Sequence, residues 1–143
     1  MAPVHNGVYA IAKLTEQLLT LQASKEFVVV LNSTGEPGEQ EWEVAGLDNG
    51  NIVIRNLRHG DYVGLDGPPE VNQQVRGTEE AFEWALYQAA ERSSFHVVVP
   101  GGPVDGQELA LDLSVLDIFP PRTALRPLEV QEQRQAWLFE SRD

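Results

Sequence analysis

An internal repeat constrains this chain more than any other feature. "NGVYAI" at residues 6–11 returns as "NGNIVI" at residues 49–54, and a third copy follows as Ser94-Phe95-His96-Val97. The apolar anchors Tyr9, Ile52 and Phe95 stand 43 residues apart each time. The three Trp keep the same phase. Trp42 in "QEWEV", Trp84 in "FEWAL" and Trp137 in "QAWLF" follow their anchors by 33, 32 and 42 residues. The chain therefore reads as three units, near residues 5–47, 48–90 and 91–143, the third carrying an insertion of roughly ten residues.

Each unit holds four short stretches that alternate or run apolar, as strands do. They are "GVYAIAKL", "LLTLQA", "FVVVLNS" and "EWEVAGL"; then "NIVIRNL", "DYVGLDG", "VNQQVRG" and "AFEWALYQA"; then "FHVVVP", "LALDLS", "TALRPLEV" and "QAWLFES". Gly, Pro, Asn, Asp and Ser clusters separate them. In "LDNGN" the Asn-Gly pair marks a hairpin, since both residues tolerate positive φ. "TEEAFEWALYQAAER" is made of good helix formers, but the repeat phase places Trp84 on a strand, and the repeat decides. Three four-stranded units are too few for a propeller, and a solenoid would need capped ends. Closing the units on one another removes exposed edges. The expected fold is an all-β, twelve-stranded β-trefoil, a six-stranded barrel capped by three hairpins. The expected core is Tyr9, Ile11, Val29, Trp42, Ile52, Ile54, Leu65, Trp84, Phe95, Val97, Leu111, Leu125 and Trp137.

With 143 residues, 42% of them apolar, the chain can bury one core as a single domain. A formal net charge of −12 disfavours nucleic acid and anionic membrane surfaces as partners. No apolar run approaches the length of a membrane span. The start, "MAPVHNGVYAI", lacks a secretory pattern. Zero Cys excludes disulfides and thiolate chemistry. A cytoplasmic monomer is expected. No HExxH, GxSxG, GxxxxGK[ST] or GxGxxG motif occurs, so no metal, cofactor or enzymatic activity is expected. Asp112 and Asp117 in "LDLSVLD" do not define a carboxylate pair at that spacing. His96 should point off the core, His59 reads as a turn residue in "RHGD", and the "NST" sequon at residues 32–34 reads as unused. What remains is a rigid scaffold with loops, which suits binding or inhibition.

The "NGVYAI" opening, "WEVAGLDNGN", the second-unit "EW" and the final "AWLFES" resemble the small fungal β-trefoil protease inhibitors. These are the mushroom serine-protease inhibitors and the related mycocypins, which act on cysteine proteases. The resemblance implies reversible inhibition of a peptidase through inter-strand loops. By analogy with the serine-protease branch, the loop between the second and third strands, "QASKEF", would present Ser24, Lys25 and Glu26. Lys25 would then enter the pocket of a trypsin-like enzyme. Arg58 is the second-choice anchor. By analogy with the mycocypin branch, the loops "KLTEQ" and "NSTGEPGEQ", the second with Gly35 and Gly38, would wedge into a papain-like cleft, and Asn56 in "RNLRHGD" would face an asparagine-specific peptidase. A rival reading is a lectin. "QEW" ending at Trp42 and "QAW" ending at Trp137 are similar to the Gln-x-Trp of ricin-type lectins, and His59, Asp61 and Tyr62 come nearest to a sugar set.

Overall fold

In the computed structural model, residues 4–13 and 17–142 are described. They form twelve strands: β1 (Gly7–Ala12), β2 (Leu18–Thr20), β3 (Val29–Leu31), β4 (Trp42–Gly46), β5 (Ile52–Asn56), β6 (Tyr62–Gly64), β7 (Arg76–Thr78), β8 (Ala85–Gln88), β9 (Ser94–Val98), β10 (Leu109–Leu113), β11 (Thr123–Pro127) and β12 (Trp137–Ser141). β1 pairs with β12 and β4, β4 with β5, and β9 with β8 and β12, all antiparallel. The last gap is closed by Ile52 and Trp84, whose backbones exchange hydrogen bonds of 2.8 and 2.9 Å. Six strands thus make a barrel without an open edge. The hairpins β2–β3, β6–β7 and β10–β11 cap one end. The fold is a β-trefoil.

The repeat seen in the sequence is a set of cross-strand pairs. Tyr9 sits opposite Trp42, Ile52 opposite Trp84, and Phe95 opposite Trp137. All three Trp are fully buried. Each indole Nε1 donates to a carbonyl of its own unit's second strand: Trp42 to Leu19 at 3.0 Å, Trp84 to Val63 at 2.9 Å, and Trp137 to Leu111 at 2.9 Å. A buried indole needs such a partner, and the bond ties each cap hairpin to the barrel. On β5 the alternation buries Ile52, Ile54 and Asn56 and turns Arg55 outward.

Eleven of the thirteen expected core residues are buried. Tyr9 and Leu65 are half-buried and pack on the core from its rim; the Tyr9 hydroxyl leans out to donate to the His5 carbonyl at 2.8 Å. At β3 it is Val30 and, just before the strand, Val28 that join the central cluster, flanking the buried Val29. Residues 78–92 form no helix, because Trp84 must exchange bonds with Ile52 and the next four residues pair with β9. The strand expected over "VNQQVRG" shrinks to Arg76–Thr78, since Asn72 turns the chain at φ 69°. His96 is a correction. It is 1% exposed, because β9 is covered on both faces, and its Nε2 lies 3.2 Å from the Val130 carbonyl. In "LDNGN", Gly50 alone takes positive φ.

Truncating Trp42 to Ala removes a buried indole and orphans the Leu19 carbonyl. The expected loss is about 3–5 kcal/mol, read as a lowered urea midpoint with an unchanged slope.

Candidate functional site

Because each Trp indole fixes a carbonyl on the second strand, the residue after that carbonyl occupies one equivalent place in all three units. These residues are Thr20, Gly64 and Asp112. Two residues before each Trp stand Gln40, Phe82 and Gln135, and in the first and third units this side chain bonds the residue at that place. In the first unit Gln40 Nε2 donates to Thr20 Oγ1 at 3.1 Å, and both side chains are buried, so the place is closed. In the second unit Gly64 lies so close to Thr78 that an added Cβ would stand 2.4 Å from its Oγ1. Phe82 there packs edge-on against Trp84. In the third unit Asp112 opens into a hollow of about 380 Å³, lined by Lys13, Arg126, Glu129, Arg134 and Gln135 among others.

The hollow's floor is preorganised. Gln135 Nε2 donates to Asp112 Oδ2 at 3.2 Å and to the Pro127 carbonyl at 3.0 Å, while its Oε1 accepts the Glu129 N–H at 2.8 Å. These three bonds fix which way the amide faces. Asp112 Oδ1 accepts the Leu113 N–H at 2.7 Å and stands 3.1 Å from Lys13 Nζ. The Lys13 ammonium lies 4.5 Å above the Trp137 ring with its side chain 4% exposed. Burial pushes its pKa down to about 8, outweighing the pull of Asp112, and Arg134 adds to the lowering. Beneath the site, burial lowers the pKa of His96. The bond toward the Val130 carbonyl assigns the proton of the neutral ring to Nε2. No group of His, Asp and Glu among the described residues is arranged to hold a metal ion.

Sequence reasoning missed this hollow. Asp117, the acidic neighbour of Asp112 in "LDLSVLD", lies apart from it on an exposed loop. The available signal was the position of "LD" in "LALDLS" relative to "QAW", matched by "LT" and "VG" in the other units.

The residues singled out from the sequence are distributed differently. Ser24, Lys25 and Glu26 do lie on the exposed β2–β3 turn, but it is a closed turn rather than an extended segment. Lys25 has φ 66°; its N–H donates to Asp61 Oδ2 at 2.5 Å, and its carbonyl accepts from Arg76 Nη2 at 2.7 Å. Ser24 Oγ donates to the same carboxylate at 3.0 Å. A substrate-like residue offers that carbonyl to an oxyanion hole, and here Arg76 already holds it. Asn56 is 1% exposed and is a structural residue, bonding the Glu39 carbonyl and the His59 N–H. Arg58 is exposed and pairs with Glu36 at 3.4 Å. Gly38, at φ 79°, packs against Arg58, where a Cβ would come within 2.9 Å of the arginine's own Cβ; Gly35, at φ 75°, is open to solvent. Of "KLTEQ", residues 14–16 lie outside the described residues. Asp61 is buried and committed to the 24–25 turn, Tyr62 lies under the Arg55 guanidinium, and His59 faces Glu39 at 3.9 Å. The second unit therefore builds no sugar pocket from these three.

No family model matches the chain, and no curated protein is similar to it by sequence. Solved structures are similar in fold. A Macrolepiota procera ricin B-like lectin, solved in complex with lactose, superposes with a TM-score of 0.77 at 21% identity, over 96% of this chain and 98% of that one. The Rhizoctonia solani agglutinin gives 0.80 at 18% identity, over 96% of both chains. ThreeFoil, a designed threefold-symmetric protein, gives 0.77 at 13% identity, over 95% of this chain and 99% of that one. At these identities the likeness is one of fold: the chain is a β-trefoil of the shape that fungal ricin B-like lectins share.

Proposed function

We propose that this protein binds carbohydrate through the hollow of its third unit. The observation that carries the reading is the contrast among three equivalent places. Two are closed, by Thr20 with Gln40 and by Gly64 against Thr78, and the third exposes a carboxylate steadied by an amide. A pyranose presents adjacent hydroxyls, and an ionised carboxylate accepts two of them in charge-assisted bonds. Because Gln135 is already locked, little ordering cost falls on binding. The fungal lectins of the same fold, one of them holding lactose, support the reading. Lactose is therefore the first probe. Titration calorimetry should show saturable binding of lactose or of another sugar on a glycan array. Asp112→Asn should weaken that binding at least tenfold, about 1.4 kcal/mol, while Thr20→Ala in the sealed first unit leaves it unchanged. An array on which nothing binds refutes the reading.

A second reading, peptidase inhibition, is favoured by one different observation. The β10–β11 connection exposes Val115, Leu116, Ile118 and Phe119, with Phe119 85% exposed. The loop's base is fastened by Ser114 N–H to the Arg122 carbonyl at 2.7 Å. An apolar side chain on such a loop fits the hydrophobic slot of a chymotrypsin-like enzyme rather than the acidic pocket of a trypsin-like one. On this reading Phe119 replaces Lys25 as the anchor. In a panel of trypsin, chymotrypsin and papain, chymotrypsin should be inhibited. Phe119→Ala should abolish the inhibition and Lys25→Ala should preserve it. Trypsin inhibition lost in Lys25→Ala would return the anchor to the β2–β3 turn.

A further inference from the structure

We infer that the hollow of the third unit selects a saccharide carrying a carboxylate group. This rests on the carbohydrate reading above and narrows it to a ligand class. Three of the chain's ten Lys and Arg line this one hollow, Lys13, Arg126 and Arg134, against two of its 22 carboxylates, Asp112 and Glu129, counted among the described residues. A cationic excess at one depression of a chain with net charge −12 is a local departure from the surface around it. No aromatic ring lines the hollow among the described residues, so a neutral sugar has no flat face to stack on. Guanidinium groups stand there instead, and their planar forks match a carboxylate in two parallel bonds.

The cations are placed for the purpose. Arg126 is held by the side-chain oxygen of Asn72. Arg134 is 79% exposed and only loosely paired with Glu132 at 3.4 Å, a contact that costs little to exchange. Lys13 is the independent observation. Its nearly buried ammonium reaches one oxygen of Asp112 but makes no hydrogen bond of regular geometry among the described residues. Its positive charge, held behind Asp112, favours an anion in the hollow. The sugar's hydroxyls then fall to Asp112 and its carboxylate to Arg126 and Arg134, with the enclosed Lys13 ammonium adding positive charge from behind Asp112. The groups facing Lys13 are Asp112, Arg134 and, through the floor, His96. Since the Lys13 pKa is lowered to about 8, its charge is present below that pH and lost above it.

The test uses the full chain and matched probes: digalacturonate and sialyllactose, each against its own methyl ester, with lactose and inorganic phosphate alongside. At least one acid should bind tenfold or more tightly than its ester. Arg126→Gln and Arg134→Gln should each bring the acid's affinity down to that of its ester, with the thermal midpoint in place. The advantage should also shrink between pH 7 and about 9.5, the range over which a Lys13 with pKa near 8 loses its proton. Equal binding of acids and esters, lost in Asp112→Asn, overturns this inference and leaves the carbohydrate reading standing. Absence of all sugar binding sinks both. Phosphate binding as tightly as the acids would show a plain anion site and also overturn it.

Discussion

At the pseudo-threefold axis three backbone hydrogen bonds run in a ring. Val28 N–H donates to the Val75 carbonyl at 2.9 Å, Val75 N–H to that of Thr123 at 3.0 Å, and Thr123 N–H to that of Val28 at 3.0 Å. The Thr123 hydroxyl adds a fourth bond to the same Val28 carbonyl at 2.8 Å. Three short hairpins would otherwise leave these buried groups unpaired, at a cost of about 1–3 kcal/mol each. The ring holds the hairpins at a common angle over the barrel. The three Trp–carbonyl bonds then hold each hairpin to the barrel wall. Each residue following such a carbonyl inherits a fixed position.

That symmetry explains why the open place is confined to one unit. A threefold scaffold offers three equivalent places, but each side chain there needs to satisfy only the local polar groups. Thr20 with Gln40, and Gly64 against Thr78, close their places and add to packing. Asp112 cannot close its own, because a carboxylate must stay hydrated or paired. The lowered pKa of Lys13 shows the cost of keeping that pair partly buried. Where the two equivalent places are closed, a partly desolvated charge pair at an open hollow marks the place that stability alone does not explain.

The loops follow the same logic. The β2–β3 turn is fastened by Asp61 and Arg76, both from the second unit, so its main chain is committed to holding two units together. The β10–β11 connection, which belongs to the lengthened third unit, is tied to the first unit at Pro121, whose carbonyl accepts the Val30 N–H at 3.0 Å, and exposes Val115, Leu116, Ile118 and Phe119. Both features that suit binding therefore lie in the unit that departs most from the repeat.

The sequence by itself determined the repeat, the barrel and most of the core. The anchors and Trp had to recur at fixed spacing, because each pair faces the other across the β1–β4, β5–β8 or β9–β12 contact. Local pattern also favoured a helix over residues 78–92, and only the long-range repeat overruled it. What tertiary structure alone decided was which polar side chains are spent and which are left over. Asn56 and Asp61 look available in the sequence and are consumed inside the fold, and His96 alternates outward on β9 yet is covered by residues near Val130. Lys13, Asp112, Arg126 and Arg134 lie as many as 121 positions apart, yet line one hollow. Strand periodicity fixes the face on which a side chain emerges, a local property. Whether a carboxylate there meets an amide, a lysine or water depends on chain segments that only closure of the barrel brings together.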